Sequence, residues 1–288
     1  MEKKLRAAQI QMSVKETKAE TVRYLTNKMK EICDGSVDMV CLPEMFCCPY
    51  KTELFPEYAE PEGGMLWSAC AELAAKHQVY LSAGTMPEED FVREAEGLPK
   101  EKRIYNTAYM FDRNGRQIGK HRKMHLYEVH AKGRKSFREA DTLSAGNEVT
   151  LFDTEFGRGG LCVCYDIRFI ELIRLMTLKG AEFILVPAAF NMITGPAHWE
   201  LVIRSQAMYN QIFVLGTSLA RDPSCGFISW GHSMSADPGG MVLSRTEEKE
   251  DIIFTDIDLS RIGEARTQLP MLSQRREDIY ELRLLYMR

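Results

Sequence analysis

Apolar positions along the chain recur in two periods, and the switches between them mark out its elements. Leu5 to Met12 alternates and predicts a strand. Over residues 16–33, Val22, Leu25, Met29 and Ile32 fall on one helical face. Val37 to Leu42 predicts a second strand, ending at Pro43-Glu44. Leu66, Ala69, Cys70 and Leu73 form another helix stripe, and Val79 to Thr85 returns as a strand. Tyr105 to Asp112, followed by Arg113-Asn114-Gly115-Arg116, predicts a hairpin turning at Asn-Gly. Residues 160–164 read as a short buried strand that feeds a helix carrying Ile170, Ile173 and Met176 on its inner face. Phe183 to Pro187, Ile212 to Thr217 and Ile252 to Ile257 are further strands, whereas the charged stretch Glu88 to Arg103 reads as an exposed loop.

This alternation predicts a layered α/β or α+β architecture. The chain shows no fixed-period repeat and no Pro/Gly/Ser-rich linker, so residues 1–288 are read as one domain. A length of 288 residues with 45% hydrophobic content is enough for a substantial core. A formal charge of −4 and the lack of a long basic stripe argue against nucleic acid or an anionic membrane as partner. No apolar run reaches the roughly 18–20 residues needed to span a bilayer. The opening Met-Glu-Lys-Lys lacks the apolar core of a secretory leader. The eight cysteines include no Cys-x-x-Cys pair, and the six histidines form no familiar zinc spacing. These features predict a cytoplasmic protein with free thiols and no bound metal.

Three separated positions carry the candidate chemistry. Cys164 lies where an apolar strand gives way to a turn and then a helix, in Gly-Gly-Leu-Cys-Val-Cys-Tyr-Asp-Ile-Arg-Phe. Unsatisfied helix N-terminal amides at such an elbow would stabilise a thiolate and help hold an oxyanion. Cys162, two residues earlier, reads as a packed thiol. Glu44 ends the strand Cys41-Leu42-Pro43, where a carboxylate is either exposed or poised to move a proton. Lys123, in Lys120-His121-Arg122-Lys123-Met124-His125-Leu126, is on charge alone a solvated loop lysine. In a site, its ammonium would stabilise a tetrahedral oxyanion.

The order Leu-Pro-Glu, Arg-Lys-Met-His-Leu, Cys-Tyr-Asp-Ile-Arg-Phe resembles the nitrilase superfamily of carbon–nitrogen hydrolases, from Ala7 to about Tyr280. The resemblance implies a four-layer α-β-β-α sandwich of two mixed sheets. It implies pairing into a homodimer or higher homo-oligomer, with the tail from about residue 260 packing on a partner subunit. It assigns Glu44 as base, Lys123 as oxyanion stabiliser and Cys164 as nucleophile; the backbone N–H of Tyr165 is expected to hold the oxyanion together with Lys123. The family's second glutamate matches Glu139, which is expected to hold Lys123 or orient substrate; a surface ion pair is the plainer reading. No cofactor or metal is implied.

Within that superfamily the chain is similar to omega-amidases, which act on 2-oxoglutaramate and 2-oxosuccinamate. The similarity runs through Phe46-Cys47-Cys48-Pro49-Tyr50, Phe55 to Glu60, Ala189 to Leu201, Leu219 to Asp222 and Trp230 to Ser233. It departs at Gln206 to Gln211, where relatives carry an Arg and an acid three apart, which suggests a structural pair exchanged. An omega-amide bears a carboxylate at its far end, so Arg168, Tyr50 and Thr194 are candidate substrate contacts. The plainer reading of Arg168 is an ion pair with Glu171, and His198 and Trp199 read as packing or pocket wall. Hydrolysis of N-carbamoyl compounds, deaminated glutathione or another aliphatic amide would use the same triad. A non-catalytic binding protein on the same scaffold is the reading from another class.

Overall fold

The computed structural model describes residues 3–92, 99–129 and 137–285. The first half runs β1 (Lys4–Gln11), α1 (Lys18–Ile32), β2 (Met39–Cys41), α2 (Phe55–Tyr58), α3 (Met65–His77), β3 (Tyr80–Val92), β4 (Glu101–Phe111) and β5 (Gln117–Arg122). A small ladder, β6 (Glu128–Val129) with β7 (Phe137–Arg138), joins it to the second half. There follow β8 (Thr150–Asp153), β9 (Arg158–Leu161), α4 (Ile170–Leu178), β10 (Phe183–Ala188), α5 (Gly195–Asn210), β11 (Phe213–Ser218), β12 (Met234–Ala236), β13 (Val242–Arg245), β14 (Asp251–Asp258) and α6 (Arg261–Gln268).

Two six-stranded sheets form, in the orders β14-β1-β2-β3-β4-β5 and β13-β12-β11-β10-β9-β8. Each is mixed: β1, β2 and β3 pair in parallel, as do β9, β10 and β11, with antiparallel strands outside them. The period-2 alternation of β1 decides how the layers stack. Leu5 and Ala7 face the second sheet in one core, while Ala8 and Ile10 join Leu25 and Met29 of α1 and Leu66 and Leu73 of α3 in the other. Ile173 of α4 and Trp199 and Ile203 of α5 cover the far face of the second sheet. The result is the expected four-layer α-β-β-α sandwich. No helix among the described residues is long and apolar enough to cross a membrane.

Two expectations fail. Glu88 to Arg103 is no exposed loop over its described residues: Glu88–Val92 and Glu101–Arg103 form the distal rungs of the β3–β4 hairpin, and residues 93–98 lie outside the described residues. Its charges are paired across strands, and Glu88 is only 2% exposed, held by Lys120 and by Arg122 at 2.7 and 2.9 Å. Ile170 does not share the inner face of α4 with Ile173 and Met176; it is 60% exposed. It is the first residue of the helix, straight after the turn carrying Arg168.

Candidate active site

Glu44 follows β2 in a tight turn. Leu42 N–H donates to Ser82 O at 2.9 Å, and Met45, with a left-handed φ of 49°, donates its N–H to Thr85 Oγ1 at 2.8 Å. Gly84 is required beneath this turn, because a Cβ there would stand 2.1 Å from Pro43 O. Lys123 leaves the end of β5 pinned on both sides: its N–H donates to Asn106 O at 2.8 Å, and its C=O accepts from Gly146 N–H at 2.8 Å. Glu139 opens a 3-10 turn, and its N–H donates to Tyr127 O at 3.0 Å.

These three side chains meet, each fully buried. Lys123 Nζ donates to Glu44 Oε1 at 2.9 Å and to Glu139 Oε1 at 2.8 Å. Asn106 Nδ2 donates to Glu44 Oε1 at 2.8 Å, and Tyr127 N–H to Glu139 Oε2 at 2.7 Å. The Tyr50 hydroxyl bridges the carboxylates, 2.9 Å from Glu44 Oε1 and in a short contact with Glu139 Oε1. Glu44 Oε2 takes no hydrogen bond from Lys123, Asn106 or Tyr50, and the Cys164 thiol lies within reach of the Glu44 carboxylate. Burial disfavours the Lys123 ammonium, but the two carboxylates outweigh it and push its pKa well above the usual lysine value. The Glu139 carboxyl is raised by burial and by Glu44, against the opposing pull of Lys123.

Cys164 sits beyond the end of β9 with a left-handed φ of 44°, a conformation that costs a non-glycine residue energy and is retained where surrounding structure enforces it. Asp166 does the enforcing. Its carboxylate accepts from Val163 N–H at 3.0 Å and from His125 N–H at 2.9 Å, and meets His125 Nδ1 at 2.7 Å and His121 Nε2 at 3.1 Å. These donors hold the Asp166 pKa well below the usual carboxylate range despite complete burial. His121 and His125 flank Lys123 in sequence, so Asp166 ties the strand bearing the lysine to the turn bearing the cysteine.

The surroundings of Cys164 act against the thiolate that the elbow amides would stabilise. Burial first, then Glu44, push its pKa well above the ordinary thiol value, against the opposing pull of Lys123 and the Ala189 N–H. The helix it opens is only a five-residue 3-10 turn, too short a dipole to reverse this. The thiol borders a narrow pocket lined by Tyr50, Tyr127, Arg168, Phe190, Thr194 and Phe227, among others.

The sequence profile of the carbon-nitrogen hydrolase family matches residues 4–267. The omega-amidase NIT2 of Bos taurus is 39% identical over 277 residues, covering 96% of this chain and 97% of its own length. Among solved structures, Saccharomyces cerevisiae Nit3, described as a member of branch 10 of the nitrilase superfamily, superposes with a TM-score of 0.82. It is 35% identical over 95% of this chain and 97% of its own. The C. elegans NitFhit protein gives 0.83 at 29% identity, over 98% of this chain and 67% of its own.

This chain belongs to the carbon–nitrogen hydrolase family.

In this family member Lys123 joins Glu44 and Glu139, and Cys164 stands close enough to Glu44 and Lys123 to feel their charges. Lys123 is no solvated lysine and Glu139 no surface acid; both are fully buried. Arg168, Tyr50 and Thr194 all line the cavity beside Cys164. Arg168 makes no ion pair with Glu171; its guanidinium lies over the Phe190 ring at 4.5 Å and meets His198 Nδ1 at 3.0 Å. His198 is exposed, not packed, while Trp199 is buried against Phe190. At the departing segment, buried Gln206 donates to Ile167 O at 3.0 Å and accepts from Asn210 at 2.9 Å, so neutral hydrogen bonds join α5 to the nucleophile turn. Sequence reading gave no role to Asn106, Asp166, His121, His125 or Ala189. Asp166 and the two histidines stood inside the quoted motifs; Asp166 between Tyr165 and Ile167, and His125 between Met124 and Leu126, are polar residues among apolar or aromatic neighbours, a signal that His121 between Lys120 and Arg122 lacks.

Proposed function

We propose that this enzyme hydrolyses the omega-amide of a 2-oxo dicarboxylate, such as 2-oxoglutaramate, to the acid and ammonia through a thioester on Cys164. The observation that carries the reading is the buried cluster of a thiol, a carboxylate with one free oxygen and an ammonium, opening on a small cavity that holds one arginine. Glu44 takes the thiol proton as sulfur attacks the amide carbon. Because burial and Glu44 raise the thiol pKa, attack is favoured by a base already in place to take the proton. Lys123 and the Tyr165 N–H stabilise the tetrahedral oxyanion. Glu44 returns the proton to the departing nitrogen, and ammonia leaves. Water, deprotonated by Glu44, then attacks the thioester, releasing the carboxylic acid and restoring the thiol. Glu139 fixes the Lys123 ammonium from the far side.

Arg168 suits the far carboxylate of the substrate, since among the described residues no acid claims it. The Tyr50 hydroxyl is committed to Glu44 and Glu139, so its ring forms cavity wall, stacked on Phe227 at 4.6 Å. Thr194 adds a polar contact beside Asn191. The omega-amidase relatives support this substrate class. We further infer a cytoplasmic homodimer. Eight free thiols suit a reducing compartment, and exposed Ile170, Leu201 and Tyr209 offer an apolar face along α4 and α5 for the partner and the tail. Ammonia release from a panel of 2-oxoglutaramate, 2-oxosuccinamate, N-carbamoyl amino acids and simple aliphatic amides tests the reading. The 2-oxo omega-amides should give the highest kcat/KM. A preference for carbamoyl or neutral amides would replace this substrate class while leaving the hydrolase family intact.

A further inference from the structure

Arg168 is a long side chain at the cavity wall with no acidic partner among the described residues, yet three groups hold it. The Phe190 ring lies 4.5 Å and the Tyr165 ring 5.8 Å from its guanidinium carbon. The third is His198, whose Nδ1 stands 3.0 Å from Arg168 Nη1. A guanidinium can only donate, so Nδ1 must accept. The contact therefore requires the neutral ring with its proton on Nε2. His198 lies in the first turn of α5, its N–H donating to Thr194 O at 2.9 Å. The next residue, buried Trp199, donates its indole N–H to His232 O and packs on Phe190, which fixes this turn of the helix against the cavity. The imidazole is thus mounted on a rigid element and aimed at the guanidinium that lines the pocket beside Cys164.

We propose that His198 is a positioning residue for substrate selection: its unprotonated Nδ1 holds the Arg168 guanidinium at the cavity wall, ready for the carboxylate of an omega-amide. The inference rests on the substrate reading above and deepens it. A flexible arginine must otherwise be ordered when substrate binds, and ordering it beforehand strengthens binding without touching the reacting atoms. His198 therefore acts on KM, and only through Arg168.

The test is steady-state kinetics on 2-oxoglutaramate with four variants: Arg168→Ala, His198→Ala, His198→Asn and the Arg168→Ala/His198→Ala double variant. His198→Ala should raise KM roughly three- to tenfold, the worth of one hydrogen bond, with a smaller change in kcat. His198→Asn places an amide oxygen where Nδ1 stood and should return KM to within about twofold of the parent. In the Arg168→Ala background, loss of His198 should add nothing. An unchanged KM in His198→Ala, an asparagine no better than alanine, or an equal loss in the Arg168→Ala background each overturns the proposal. If Arg168→Ala raises KM while His198→Ala does not, only the role of His198 falls. If Arg168→Ala leaves KM unchanged, the anchor reading falls with it.

Discussion

Asp166 and His121 meet at 3.1 Å, both fully buried, across 45 residues of sequence. This contact and its companion to His125 hold the nucleophile turn to the strand that carries Lys123. Asp166→Asn leaves the backbone donors with a poorer acceptor and should cost about 2–4 kcal/mol of stability at neutral pH. The sign of its pH dependence follows from the depressed folded pKa. Asp166 contributes stability that is complete above its unfolded value of about 3.9 and is lost as pH falls through the folded one. Urea titrations should therefore show the gap between parent and variant at its widest above pH 5 and narrowing below about pH 4. A gap that stays constant into acid would contradict the assignment.

Lys123 is the only cation among the described residues bonded to Glu44 and Glu139. Lys123→Met leaves two buried carboxylates facing each other and should destabilise the fold by about 3–5 kcal/mol. Adding Glu139→Gln removes one of those charges and should recover part of the loss, although both variants should lose at least about 10³-fold in kcat/KM. Denaturant unfolding checks the first expectation and ammonia release the second. Losses that simply add would show that the buried charges act independently.

Tyr50→Phe keeps the ring stacked on Phe227 and removes the hydroxyl between Glu44 and Glu139. The reading of that hydroxyl as a brace for the base predicts a fall in kcat of roughly tenfold, with KM changed by less than about threefold. A raised KM at constant kcat would instead make the hydroxyl a substrate contact.

How much of this was legible in the sequence depended on range. Glu44 and Cys164 stand in short motifs at strand ends, where local pattern singles them out, whereas Lys123 reads locally as a solvated lysine and gained its role from the resemblance. Glu139 came from resemblance, because nothing in Ser-Phe-Arg-Glu-Ala-Asp signals burial. The Asp166 bridge and the Arg168–His198 contact depend on pairings 30 or more residues apart, which periodicity does not encode. The distal β3–β4 hairpin was misread because its strands are stabilised by cross-strand ion pairs, such as Lys102 with Glu89 at 2.6 Å and Arg122 with Asp90 at 2.7 Å, and not by an apolar face. β8, β12 and β13 are three or four residues long, too short to display alternation. The elbow amides read from the sequence favour a thiolate at Cys164, whereas burial and Glu44, which local pattern does not show, oppose it.

The central claim is that the amide carbonyl passes through a thioester on Cys164. Rapid acid quench during turnover of 2-oxoglutaramate, followed by mass analysis of the peptide bearing Cys164, tests it directly. The account predicts an acyl adduct on that peptide, formed with ammonia release, absent from Cys164→Ala, and longest-lived where Glu44 is replaced by Gln after acylation by an activated ester. Ammonia release that persists in Cys164→Ala would contradict it.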